Sequence, residues 1–240
     1  MATSNANGFR GTANAGSTTT ESKEDALTEM EFERFFESTY FVAADKALEC
    51  RFLAVVLGRL GLRRGEAVHL QDDWIDWDHH LIQIPRHYDC TDGQDGGRCA
   101  CCRQLARQKA DRDDRDFEAV LEEYWTPKSE AARREIYFGS DPRTRLTIER
   151  FFERFDEWPW SVTVINRRVN LLAEETEGLS PDCVRPHSLR SSAATHQAYL
   201  GMDLWDLLNF FGWELISTAE KYLSRNALRT ARNMDQRRRG

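Results

Sequence analysis

No run of eighteen consecutive apolar residues occurs in this chain of 240 residues, so nothing in it reads as a transmembrane helix. The first residues lack the charged start and apolar block of a secretory signal peptide. Basic charge is short: 33 Lys and Arg face 40 Asp and Glu, a net charge of −7, which argues against an indiscriminate polyanion binder. No internal repeat is visible. Cysteines number only six, and four of them crowd between Cys90 and Cys102, which suits an intracellular metal site better than a secreted disulfide framework. The expectation from these absences is a soluble, cytoplasmic protein.

What is present is enough for a real core: 40% hydrophobic residues, with 11% aromatics, in a length that suits one sizeable domain. The charge is uneven. Residues 181–240 carry nine Lys and Arg against six Asp and Glu, so a locally basic surface can exist on an acidic chain. An acidic solvent face is also what adaptation to high salt would give.

Residues 1–24 are rich in Ser, Thr, Asn, Gly and Ala and read as a disordered tail. From Asp25, Leu27, Met30, Phe35 and Phe36 recur at helical steps. "DKALECRFLAVVLGRLG" is a second helical run with Gly61 as its C-cap. "WIDWDHHLIQIP" alternates around a polar turn, as a β-hairpin does. Residues 86–116 interrupt the pattern with Cys and Asp. "DFEAVLEEYW" returns to a helix, and "RREIYF" is a short strand. Five further helical stretches follow, from "PRTRLTIERFFERF" to "STAEKYLSRNALRTARNM". The predicted fold is mainly α with a small three-stranded antiparallel β-sheet. The expected domain spans 25–230 with an insertion at 86–116, and 231–240 form a basic tail.

Four short motifs carry chemistry. In "RPHSLRSS", Pro186 suits the first turn of a helix, placing His187 and Arg190 on one face near an end that favours anions. An arginine fork there matches two phosphate oxygens, although an isolated H-x-x-R is more often plain surface. In "GLRRGE", Arg63 sits in a turn where Glu66 can orient it, an arrangement equally typical of an ordinary helix junction. Lys128, after Pro127 and before the short strand, belongs at a loop or strand edge; most such lysines are merely solvated. In "GWELISTAEKYL", Ser217 and Glu220 match a capping box, which places Tyr222 about one turn into a helix. Trp213, nine residues earlier, offers a hydrogen-bond donor only.

The order "GLRRGE", "PKSEAARREIYF", "HSLRSSAATH", "GWELISTAEKYL" resembles the tyrosine recombinase, or phage integrase, family over roughly residues 25–230. It looks closest to the integrases of halophilic archaea and their viruses. The family shows an Arg in G-L-R-x-x-E, a Lys on its small sheet, H-x-x-R, and a His or Trp nine residues before a Tyr. The resemblance implies the integrase catalytic-domain fold. It further implies that Tyr222 attacks a scissile DNA phosphate to give a 3′-phosphotyrosyl intermediate and a free 5′-hydroxyl. Arg63 and Arg190 would stabilise the developing charge, with Trp213 donating one further hydrogen bond. Lys128 would protonate the leaving oxygen, and His187 would assist proton transfer. Glu66 would orient Arg63, and no cofactor is implied for catalysis. The implied partner is double-stranded DNA at a specific recombination site, bound by a homotetramer, with no membrane involved. Two departures stand out. Trp213 replaces the family's more frequent His and cannot transfer a proton. Members also usually carry a helical DNA-binding domain of about a hundred residues before the catalytic one, whereas here the helical pattern reaches Arg63 within about forty residues of its start. The chain therefore reads as a catalytic domain alone, whether minimal by nature or cut from a longer protein.

Within the insertion, His87, Cys90, Cys99 and Cys102 form two ligand pairs of spacing two across a Gly-rich loop, as a structural zinc requires. Cys101 is an alternative to Cys102, and the competing explanation is a loop of free thiols. Cys50 and Cys183 read as buried thiols. Three other functions fit parts of the pattern. They are a DNA-binding regulator or accessory factor that cuts poorly, a type IB topoisomerase-like relaxing enzyme, and a zinc-ribbon adaptor. A cutting enzyme requires Arg63, Lys128, His187, Arg190 and Tyr222 to meet on one concave basic surface.

Overall fold

The computed structural model describes residues 26–223. The tails expected at 1–24 and 231–240 lie outside the described residues. The described chain forms α1 (Glu29–Glu37), α2 (Ala44–Gly58), α3 (Arg64–Val68), β1 (Ile75–Asp76), β2 (Leu81–Ile84), α4 (Ala100–Asp113), α5 (Phe117–Leu121), β3 (Arg134–Tyr137), α6 (Pro142–Phe152), α7 (Val162–Glu175), α8 (Pro186–Leu200), α9 (Leu204–Phe211) and α10 (Ile216–Leu223). It is mostly helical with one small antiparallel sheet in the order β1-β2-β3, as the sequence pattern requires.

Local chemistry sets the ends of these elements. Thr28 and Glu31 close a capping box on α1, and Asp141 caps α6 ahead of Pro142. In the hairpin Ile75 faces Ile82, and β2 continues with Ile82 opposite Ile136 of β3. These residues are buried, so period-two alternation fixes the register.

Helix α2 is buried along most of its length and packs against α6, α7 and α8. Its Phe52 stacks on Phe151 of α6, ring centroids 3.7 Å apart, with Trp158 also parallel to Phe151 at 6.0 Å. Fully burying an aromatic of this size contributes about 2–3 kcal/mol, so α2 anchors the main core. A second, smaller cluster joins Ala193, Ala194 and Ala198 of α8 to Leu207, Leu208 and Phe211 of α9 and Ala219 of α10. Its small residues let the two short helices α9 and α10 approach α8 closely, and Trp213 and Tyr222 pack on its edge.

Several boundaries differ from the sequence expectation. Helix α2 ends at Gly58, not Gly61; Gly61 instead takes φ +63°, which turns the chain into α3. The first turn of α10 begins at Ile216, so Ser217 lies inside the helix rather than capping it. The second half of the insertion, unmarked by apolar periodicity, forms α4, whose N-cap is Cys99 and whose buried face is only Cys101, Cys102, Ala106 and Ala110. Cys50 is buried, but Cys183 is exposed, because it sits in the turn before α8 and not in an apolar face.

Candidate active site

Helix α9 ends on Gly212 in the left-handed conformation, with the Gly212 and Trp213 amides bonded back to Asn209 and Leu208. The carbonyls of Phe210, Phe211 and Gly212 remain, at the negative end of the helix dipole, and three guanidiniums meet them. Arg134 Nε donates to Phe210 O at 2.7 Å, and Arg63 Nη2 to Gly212 O at 2.8 Å. Arg190 donates to Phe211 O and to Gly61 O. A cation at a helix C-terminus gains roughly 0.3–1 kcal/mol and a fixed position. The arrangement thus presets the arginines before any ligand arrives.

Glu66 ties two of them together. Its buried carboxylate accepts from both Nη atoms of Arg134 at 2.9 Å, from Arg63 Nη1 at 2.8 Å and from the Arg63 amide at 2.7 Å. Burial alone would raise the Glu66 pKa, but Arg134 and then Arg63 outweigh it and hold the carboxyl far below the usual range. Burial, aided by Arg63 and Arg134 against the pull of Glu66, lowers Arg190 to about 9. That still leaves Arg190 charged at neutral pH.

Arg63, the extended residue before α3, lines a concavity of about 730 Å³ together with Lys128, His187, Arg190, Trp213 and Thr218. Arg64 and Arg185 are on the same wall, so five Lys and Arg side chains face this space. No Asp or Glu is among the described residues that line it, in a chain whose net charge is −7. His187 and Lys128 are exposed. Lys128 is in the loop that leads into β3, not on a strand of the sheet.

Tyr222 is not on the lining; Thr218, one turn earlier on α10, is. The half-buried Tyr222 ring stacks on Trp213 at 5.2 Å and 10°, and Trp213 stacks on Phe211 at 4.8 Å and 18°. The Tyr222 hydroxyl lies 3.3 Å from Ser191 Oγ, on the residue that follows Arg190 in α8. The aromatic stack fixes where the hydroxyl sits relative to the arginines.

Gly212 holds this corner in place. A Cβ there would stand 2.7 Å from Ala131 O and 2.8 Å from Ala132 Cα, on top of a φ of +60°. Gly212→Ala is therefore expected to lower stability by about 1–3 kcal/mol through strain and overpacking. Urea unfolding checks this; an unchanged midpoint would show that the α9 terminus relaxes freely.

Sequence reasoning missed Arg134 and Ser191. Arg134 had a signal: it is in phase with Ile136 and Phe138 on the inward face of its strand, where a charge must find a partner. Ser191 had none, since only the fold brings it to Tyr222.

At the other end of α3, where His69 is the C-cap, the insertion makes a second cluster. His69, Cys90, Cys99 and Cys102 bring one ligand atom each to within 4.8 Å of one another. This corrects the fourth member: His87 is exposed and outside the group, and His69 takes its place. Spacing along the chain singled out the nearer histidine, whereas the fold folds α4 back against the end of α3. Cys101 is buried but outside the cluster.

The phage integrase family model matches residues 26–229. Among solved structures, XerA recombinase superposes with a TM-score of 0.57 at 16% identity, over 89% of this chain and 65% of that one. The Tn1549 transposon integrase in complex with transposon right end DNA gives 0.59 at 17% identity, over 91% of this chain and 67% of that one. The same integrase in complex with circular intermediate DNA gives 0.59 at 17%, over 91% and 68%. The chain thus spans about two thirds of these relatives' length, and slightly less for XerA. No curated protein matches by sequence. Among the described residues no helix is long and apolar enough to cross a membrane.

Proposed function

The chain belongs to the phage integrase family, and from that membership and the geometry of its basic concavity we propose that it is a site-specific DNA recombinase. The observation that carries this reading is the concavity itself: five cations, no acidic lining among the described residues, and a tyrosine stacked on its lining residue Trp213. The proposed partner is a double-stranded recombination site, bound by four protomers, with the acidic chain suited to work at high salt.

In the proposed reaction the Tyr222 hydroxyl leaves Ser191 and attacks the scissile phosphorus. The tyrosyl oxygen–phosphorus bond forms as the bond to the 5′-oxygen breaks, giving a 3′-phosphotyrosyl enzyme and a free 5′-hydroxyl. Arg63 and Arg190 hold the non-bridging oxygens from positions already fixed by Gly212, Gly61 and Phe211 carbonyls. Trp213 adds one N–H donor. Lys128 gives its proton to the leaving oxygen, and His187 takes up the tyrosine proton. Glu66 orients Arg63, and Arg134 keeps Glu66 ionised. Strand exchange then uses the free 5′-hydroxyl of the other duplex, so the phosphodiester energy is conserved. No metal takes part in these steps; the His69 and cysteine group serves as a structural site.

A nicked suicide substrate tests the reading: cutting should leave a protein–DNA adduct stable in detergent. The position of Tyr222, off the lining, favours a second reading as an accessory DNA-binding factor. Tight, specific binding of a cognate site with no adduct would select it. Relaxation of supercoiled plasmid without dependence on site would instead indicate topoisomerase-like activity.

Phosphate contacts leave a salt signature. Lys128→Ala and Arg185→Ala are each expected to lower the slope of log K against log [salt] by about 1 while weakening all sequences alike. Fluorescence anisotropy across a salt series measures it, and unchanged slopes would move the DNA path away from this wall.

A further inference from the structure

The geometry points to a Cys3His zinc site, formed by His69, Cys90, Cys99 and Cys102, that clamps the insertion onto the turn carrying Arg63 and Glu66. His69 Nε2 lies 3.3 Å from Cys99 Sγ and 3.3 Å from Cys102 Sγ. A tetrahedral zinc with Zn–S of about 2.3 Å and Zn–N of about 2.0 Å sets its ligand atoms roughly 3.5–3.8 Å apart, so the four atoms need to move little to receive one. Cys90 and Cys102 are fully buried, His69 nearly so and Cys99 half-buried; four protein ligands fill a tetrahedral shell, as in structural rather than catalytic zinc centres.

The surroundings are those of a metal site and not of a packed core. His69 Nδ1 bonds Gly65 O at 2.7 Å, which makes Nδ1 the protonated nitrogen and turns the Nε2 lone pair toward the sulfurs. The Cys102 amide donates to Cys99 Sγ at 3.5 Å, at the first turn of α4, where a thiolate is favoured. Trp125 stacks against the His69 ring at 5.3 Å and holds its plane. Asp92, which accepts from Cys90 Sγ at 3.4 Å, also accepts from the Tyr88 hydroxyl at 3.1 Å and keeps that partner once the thiol proton is lost.

The clamp arises because the four ligands come from two distant parts of the chain. Three cysteines belong to the insertion, while His69 ends α3 and is bonded to Gly65, between Arg64 and Glu66. Zinc would close a covalent bridge from α4 through His69 to this turn. Its effect on DNA cutting rests on the proposed role of Arg63; metal binding and local order do not.

Elemental analysis of the full chain should give about one zinc per protein, since structural sites of this kind bind at nanomolar free metal or tighter. His69→Ala and Cys102→Ser should lose it, while His87→Ala retains it. Cobalt added to the zinc-free protein should show thiolate-to-metal charge transfer and the strong bands of a tetrahedral site, which requires no variant to fold. In hydrogen–deuterium exchange, zinc removal should raise exchange over 63–69 and 88–102 while α2 stays protected. Less than half an equivalent of zinc, zinc lost in His87→Ala but kept in His69→Ala, or octahedral cobalt would overturn the site. Exchange unchanged over 63–69, or raised equally in α2, would overturn the clamp. Absence of DNA cutting by zinc-loaded protein would count against the recombinase reading and leave both conclusions standing.

Discussion

Replacing Tyr222 by phenylalanine is expected to abolish the proposed covalent protein–DNA adduct, a loss of about a thousandfold or more, because in the proposed reaction the attacking oxygen itself is removed. The same change barely alters the fold. The phenyl ring keeps its stack on Trp213 and its place beside the small cluster of α8, α9 and α10. Only the contact to Ser191 is lost, which costs no more than about 1.5 kcal/mol. DNA affinity should stay within about threefold if it derives, as proposed, from the cations of the concavity and not from the tyrosine. Ser191→Ala is the control: it removes the same contact but retains the nucleophile, so the adduct should persist. Adduct formation on denaturing gels, read beside anisotropy titrations, separates these outcomes. An adduct formed by Tyr222→Phe would exclude this residue as nucleophile.

Glu66→Ala is expected to destabilise the fold by about 3–5 kcal/mol, the usual cost of leaving a buried charge without its partner. The Arg134 side chain is 4% exposed and has Glu66 as its carboxylate partner. Removing that partner leaves the guanidinium to Phe210 and Ala132 carbonyls alone. Arg63 loses two of its contacts as well, so cleavage should fall along with stability. Glu66→Gln, which can still accept, should be milder.

The pH dependence has a definite sign. The Glu66 pKa is lower folded than unfolded, where it is near 4.5. Its stabilisation is therefore fully present above that value and is lost as the pH falls below it. Wild type should lose stability steadily from about pH 4.5 downward, and Glu66→Ala should lack that part of the slope. Parallel urea titrations of both proteins measure it; identical slopes would show that Glu66 is not the group responsible.

Much of the fold was legible because period and caps agree. Buried Phe and Leu at helical steps mark α1, α2 and α6, and Ile82 and Ile136 mark the sheet. The short α3 was not legible, since five residues hold too little pattern, and its stability comes from Glu66 bonding its own N-terminus. Helix α4 was hidden because its buried face is built from cysteine and alanine. The arginine, lysine, histidine and tryptophan motifs fall on one wall, yet the reason for their fixed positions lies in the carbonyls of α9. No sequence motif announces a carbonyl. Arg134 and His69 show the same limit: each was visible as a residue, but its partner comes from elsewhere in the fold.

Proteolysis and mass spectrometry of the adduct trapped on a nicked cognate substrate address the nucleophile most directly. The peptide linked to DNA should contain Tyr222, joined through a 3′-phosphate, with a free 5′-hydroxyl on the released strand. Linkage through another residue, linkage to a 5′-phosphate, or no adduct from protein that binds the site would contradict it.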